Sequence, residues 1–346
     1  MFADTHKFMA LALNTAREIL RQPIVVILAL ACVVTIGLLP VMAVFCLGQE
    51  ERIVRDGAIA SCFVYGLFLV VVSSIASISR QIQSGTAAGV LSKPVNRELF
   101  LAATYCGIVF VIVVFTLIGI LASLLSVRMA ILGILTDWLV GIIFLSAVVL
   151  AFLSSAAANF RGHNFCSASL KALLVFLSLA LLFTASLDPA GGFLLFGGTG
   201  HGHGGGAFGA WASVMLKGRH AVFGGFVCWK LLLSSLLLVC ALAMLAAIAL
   251  ALSIHFKPVV VLFCSALAFL AGLLSDYLFC VLMPGGGVGL VCSAILPNWQ
   301  SLGIYEVLDM SLAMSWKFIL HACGYALLYV CAVLCLGILS FRDAEV

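Results

Sequence analysis

The sequence predicts an all-α, polytopic integral membrane protein with about eight transmembrane helices, and three observations carry that expectation. Of 346 residues, 65% are hydrophobic and 9% charged, a balance that excludes a chain of soluble domains. Apolar runs of the length a bilayer core demands, about 20 residues, recur between short polar breaks. Within hydrocarbon each run must satisfy its own backbone hydrogen bonds, which selects the helix.

The expected spans are 24–47, 58–79, 101–127, 138–158, 168–187, 229–253, 258–275 and 316–340. Residues 129–136 are also apolar and either lengthen the fourth span or form a re-entrant piece. An even number of spans puts both termini on one side. With that side inside, ten basic residues are cytoplasmic: Lys7, Arg17, Arg21, Arg80, Lys93, Arg97, Arg161, Lys171, Lys257 and Arg342. Seven are external: Arg52, Arg55, Arg128, Lys217, Arg219, Lys230 and Lys317. The bias, and above all the three basic residues before the first span, orients both ends to the cytoplasm. The first apolar run is longer than a signal-peptide core and is expected to stay as an anchor. The formal charge of +4 reads as loops facing anionic lipid rather than a nucleic-acid partner.

Ahead of the first span, Phe8, Leu11, Ala12, Thr15 and Ile19 recur at helical spacing, with Lys7, Asn14, Arg17, Glu18 and Arg21 on the other faces. That pattern predicts an interfacial amphipathic helix over 5–23, with Pro23 turning the chain into the membrane. Residues 48–57, "GQEERIVRDG", read as a tight external loop capping a hairpin. The 187–226 region, containing "FGGTGHGHGGGAFGAW", reads as a flexible glycine-rich external loop. A second external segment, 276–315, offers Leu296, Trp299, Leu302 and Tyr305 for short interfacial helices, with Trp299 and Trp316 at headgroup level.

Chemistry is sparse. Thirteen cysteines include no CxxC pair, and most, such as Cys32, Cys62, Cys106, Cys240, Cys264, Cys331 and Cys335, fall within spans as small hydrophobes. Ionisable groups sit at span ends; His321 alone is expected clearly inside a span, hydrogen-bonded between helices. No phosphate-binding G-x-x-x-x-G-K-[ST] loop, no HExxH and no serine-histidine-acid cluster is present. The sequence therefore assigns no residue to catalysis, to a cofactor or to a metal, and the chain is read as no enzyme. Work done by such a chain needs a partner, and the segment "QSGTAAGVLSKPVNRELF", 83–100, is the polar handle on the cytoplasmic side. Gly85 and Thr86 can open a short helix through Leu91, Pro94 ends it, and "NREL" starts the next span.

This segment resembles the loop between spans two and three of ABC-2 type membrane permeases of ATP-binding cassette transporters. That loop reads S-R-E-I, then G-T, then L-L-S-K-P-V-S-R before the next helix. Here Ser79, Arg80, Gln81 and Ile82 are followed by Gly85, Thr86, Leu91, Ser92, Lys93, Pro94, Val95, Asn96 and Arg97. The N-terminal "LALNTAREILRQP", the hairpin around "LALSIHFKPVVVLFCSALAFLAGL" and the C-terminal "LPNWQSLGIYEVLDM" to "FRDAEV" are similar to the family too. Gln81 replaces the family's acid, and Ala103-Thr104 replaces its Gly-Lys.

The resemblance implies one permease domain over 1–346, a six-span core with a two-span insertion at 128–226, and a coupling segment at 80–100. Arg80, Gln81, Gly85, Thr86, Leu91, Ser92, Lys93, Pro94 and Arg97 would dock a separate ABC ATPase subunit, which hydrolyses ATP in its own site. Two permease copies, identical or paralogous, would form an export path in a bacterial inner membrane. Two other readings stay open: a metal-handling or assembly protein using His201 and His203, with His220, and a carrier or channel working without an ATPase.

Overall fold

The computed structural model describes residues 2–43, 49–83, 97–130, 137–162, 164–186, 230–274, 297–299, 302 and 316–343. Among these the chain is all helical, with no strand. Its helices are α1 (Phe2–Leu20), α2 (Pro23–Ala43), α3 (Glu50–Gln83), α4 (Arg97–Met129), α5 (Trp138–Phe160), α6 (Phe165–Ala185), α7 (Lys230–Ser253), α8 (Pro258–Leu273) and α9 (Trp316–Asp343). Seven of them, α2 to α7 and α9, are long and apolar enough to cross a membrane. The chain thus has the makings of a multi-pass membrane protein. Helix α8, the expected seventh span, has 16 residues, or about 24 Å at the helical rise, against a hydrocarbon core of about 30 Å.

The helices fall into two compact units. One comprises Met1–Gln22, Gly66–Thr116 and Leu233–Val346; the other comprises Pro23–Tyr65 and Leu117–Leu232. Helices α3 and α4 contribute one part to each, so we call the first the α1/α7 unit and the second the α2/α5 unit.

In the α1/α7 unit, α1 buries Ala12, Thr15, Ala16 and Ile19, the stripe expected of an amphipathic helix. It seats on α4 at Gly107, where a Cβ would lie 2.8 Å from the Ala12 carbonyl oxygen. On the same stretch of α4, the Tyr105 hydroxyl donates to the Ala243 carbonyl of α7 at 3.1 Å. Gly66 of α3 makes room for Leu242, and Gly337 of α9 lies against Ala251 and Leu101. Close approach at small residues is how helices gain van der Waals contact where no water is squeezed out between them.

In the α2/α5 unit, α5 and α6 form a tight helical hairpin. Gly162 turns the chain at φ +84°, the left-handed conformation that favours glycine beyond a helix end, and Phe152 meets Phe165 with ring centroids 6.5 Å apart. Helix α6 buries Leu173 and Leu177; it packs on α2 as well as on α5. Large side chains such as Ile142, Leu145, Leu153 and Leu182 stay exposed on this hairpin, a surface suited to lipid.

Several expectations need correction. Residues 50–57 are no loop: they form the first two turns of α3, where Glu50 and Glu51 complement the positive end of the helix dipole and Arg52 pairs with Asp56 one turn on at 3.8 Å. Trp299 does not sit at the surface. It is 6% exposed, its indole Nε1 donates to the Phe269 carbonyl at 3.1 Å, and it fills the space that Gly272 leaves bare on α8. Trp316 is 69% exposed. Of the interfacial-helix residues, Leu302 is in a short 3-10 turn, while Leu296 and Tyr305 lie outside the described residues. His321 is exposed on α9 and has no hydrogen bond among the described residues. The reason is helical phase: Ile319, Ala322 and Ala326 take the buried side of α9, and position 321 falls opposite.

Candidate functional site

The coupling segment is bounded by structure at both ends. Arg80 and Gln81 lie in the last turn of α3 and Arg97 is the first residue of α4. Gly85, Thr86, Leu91, Ser92, Lys93 and Pro94 lie outside the described residues, as do His201, His203 and His220. A stretch of 13 residues, 84–96, therefore joins two long helices. Cys62 of α3 touches Ser123 of α4, so the two run as neighbours in the α2/α5 unit.

What the sequence reading missed is a polar seam inside that unit. Four cross-helix contacts knit α2, α3 and α4. Cys32 Sγ and Cys62 Sγ are 4.0 Å apart. Cys62 Sγ is 4.0 Å from Ser123 Oγ. Thr35 Oγ1 and Tyr65 Oη are 2.9 Å apart, and Ser126 Oγ donates to the Ile36 carbonyl at 2.7 Å. Pairs three residues apart lie on one helix face, so 32 and 35, 62 and 65, and 123 and 126 place donors and acceptors on the facing sides of all three helices. A spare hydrogen-bonding capacity remains small: Thr35 and Ser123 also donate to carbonyls one turn back, Ala31 and Gly119. Gly119 lets the thiol pair reach bare backbone, since a Cβ there would lie 2.6 Å from Cys62 Sγ.

In the same unit, α3 and α4 bury ionisable side chains toward the loop-facing ends of the helices. Arg128 is 1% exposed, Arg55 3% and Glu50 5%. The Arg128 guanidinium lies 3.7 Å from the Asp137 carboxylate, and Asp137 also caps α5 through a long contact from the Val140 N–H at 3.5 Å. Its own backbone N–H donates to the Met129 carbonyl at 3.1 Å. Asp137 thus ties the end of α4 to the start of α5 three times over. Arg55 Nε is 3.7 Å from Asp56 and has no hydrogen-bond partner among the described residues. Desolvated charges are costly unless paired, and inside membrane helices they are retained chiefly for a task.

A signal for Arg55 was present in the sequence. Val54, Ala58 and Cys62 are all buried at helical spacing, and that stripe, continued back from the apolar part of α3, carries position 55 beneath the surface. Reading the charges as a loop concealed it. Among the described residues no group of three or more His, Cys, Asp or Glu side chains is placed to hold a metal ion. In comparisons with known proteins, no family model, no curated protein and no solved structure matches the chain.

Proposed function

We propose that the chain is the permease subunit of an ATP-binding cassette transporter, forming a translocation path that a separate ATPase subunit drives. The observation that carries this reading is the segment "SGTAAGVLSKPVNR", which resembles the docking loop of ABC-2 type permeases and which lies between α3 and α4, two helices that run on through both compact units. A push on this segment bears on both helices at once. It can bias a two-state arrangement only through contacts that differ between the states.

In this reading the membrane domain has eight spans, with α8 as the short one, α1 as the interfacial helix and both termini in the cytoplasm of a bacterial inner membrane. The region 128–226, with the α5/α6 hairpin, is an insertion in a six-span core. Two permeases, identical or paralogous, pair in the membrane, and each receives one ATPase through Arg80, Gln81, Gly85, Thr86, Leu91, Ser92, Lys93, Pro94 and Arg97. The chain itself hydrolyses nothing. Combining Pro94→Ala with Arg97→Glu is expected to leave membrane insertion intact and to abolish co-purification of the ATPase; undiminished co-purification would sink the proposal.

A second reading gains from the buried Arg55 and Arg128, because ionisable groups within spans are the mark of carriers that work alone. Transport by the purified chain in liposomes that lack an ATPase separates the two.

A further inference from the structure

We infer that Cys32 and Cys62 form a two-sulfur site for a soft monovalent cation of the Cu+ or Ag+ class, buried at the centre of the α2, α3 and α4 seam. The sulfurs are 4.0 Å apart, so an ion between them can sit at a metal–thiolate bond length of about 2.3 Å from both. Both side chains are 1% exposed. A dry, sulfur-lined pocket selects soft ions over the hard, strongly hydrated ones, and a pair of sulfurs suffices for an ion that accepts low coordination numbers. Ser123 Oγ, 4.0 Å from Cys62 Sγ, is an oxygen at hand for a weak third contact.

Preorganisation favours this pair. The donors come from three helices whose mutual placement is fixed by the Thr35–Tyr65 and Ser126–Ile36 hydrogen bonds, so the ion does not have to order them. Gly119 keeps Cys62 in place by offering it backbone in place of a methyl group. The charge also balances: the cation enters, one thiol releases its proton to solvent, and the thiolate, ion and remaining thiol together carry no net charge. Nothing is oxidised or reduced, and no charge is stranded in low dielectric.

Cys240 and Cys323, joining α7 and α9 at 3.8 Å, supply the internal comparison. Neither of them is buried, and their contact has no hydroxyl neighbour of the Ser123 kind among the described hydrogen bonds. We assign no ion to that pair. The site stands apart from the permease reading, since it requires no ATPase.

The test is an anaerobic titration of the full-length chain in detergent with Cu+, in competition with a chromophoric Cu+ chelator strong enough to keep isolated thiols empty. One tightly bound equivalent is expected in the wild-type chain and in Cys240→Ser, and none in Cys32→Ser or Cys62→Ser. Equal stoichiometry in all four, or loss in Cys240→Ser as well, overturns the site. Gly119→Ala, which leaves every thiol present, should weaken the tight equivalent at least tenfold. X-ray absorption of the one-equivalent wild-type complex guards against misfolded variants: two sulfur neighbours are expected, and a shell of nitrogen and oxygen, or of three or more sulfurs, refutes the assignment.

Discussion

The two compact units bury different chemistry. All three charged side chains that are buried among the described residues, Glu50, Arg55 and Arg128, belong to the α2/α5 unit. Among its described residues the α1/α7 unit buries only hydroxyls and Gln22 beside its apolar core, which includes Ile108, Leu245 and Leu250. Its helices meet through close approach at Gly66, Gly107 and Gly337 and through the Tyr105–Ala243 hydrogen bond, whereas α2, α3 and α4 meet through thiols and hydroxyls and an ion pair joins α4 to the start of α5. In a membrane neither strategy has a hydrophobic driving force between helices, so packing and polar bonds must serve instead. The contrast teaches that one chain can weight the two differently: the unit that buries charge beside its thiols and hydroxyls should be the more sensitive to loss of a polar partner.

The largest effect should come from the ion pair. Asp137→Ala removes a carboxylate 3.7 Å from the 1% exposed Arg128, and about 3 kcal/mol should be lost, read from unfolding in mixed micelles. Replacing both residues by leucine should recover most of that. If it does not, the pair is no desolvated liability, and the contrast between the units weakens.

In the α1/α7 unit the sensitive change is steric. Gly107→Val thrusts a branched side chain at the Ala12 carbonyl and Thr15, at a cost of about 1–3 kcal/mol. The expected signature is protease cleavage within α1 while α2 stays protected; resistance equal to wild type would show that α1 can yield without losing its seat.

A smaller loss, about 1 kcal/mol, is expected for Tyr65→Phe, which removes the hydroxyl bonded to Thr35. A double-mutant cycle with Thr35→Val measures the coupling, and additivity of the two would deny the seam its role. Smallest is Arg52→Ala: the Arg52–Asp56 pair is exposed on both sides, and its removal should change stability by under about 0.5 kcal/mol in the same micelle assay. A larger value would mean that charge at the start of α3 matters beyond the buried Arg55.

Much of the fold was legible. The spans over 101–127, 138–158 and 229–253 match α4, α5 and α7 to within a few residues at each end, because a run of apolar residues bounded by charge specifies a helix without any tertiary help. The amphipathic stripe of α1 was equally plain, with Ala12, Thr15 and Ile19 all buried. The start of α3 was not, since a charged stretch reads as loop until one knows that its residues pair with each other and that one of them, Arg55, is covered by neighbouring helices. Likewise Cys32 and Cys62 are 30 residues apart, and no local pattern tells that they face each other.

By itself, then, the sequence determined the helical class, the positions of most spans and the polar segment between α3 and α4, for these follow from composition and spacing along one strand of chain. Which faces meet was decided only in the tertiary structure. Burial of Arg55 and Arg128, exposure of His321 and the joining of two thiols at the centre of a seam depend on how each helix is rotated about its axis. That rotation is set by contacts between residues far apart in sequence, and a single helix carries no record of them.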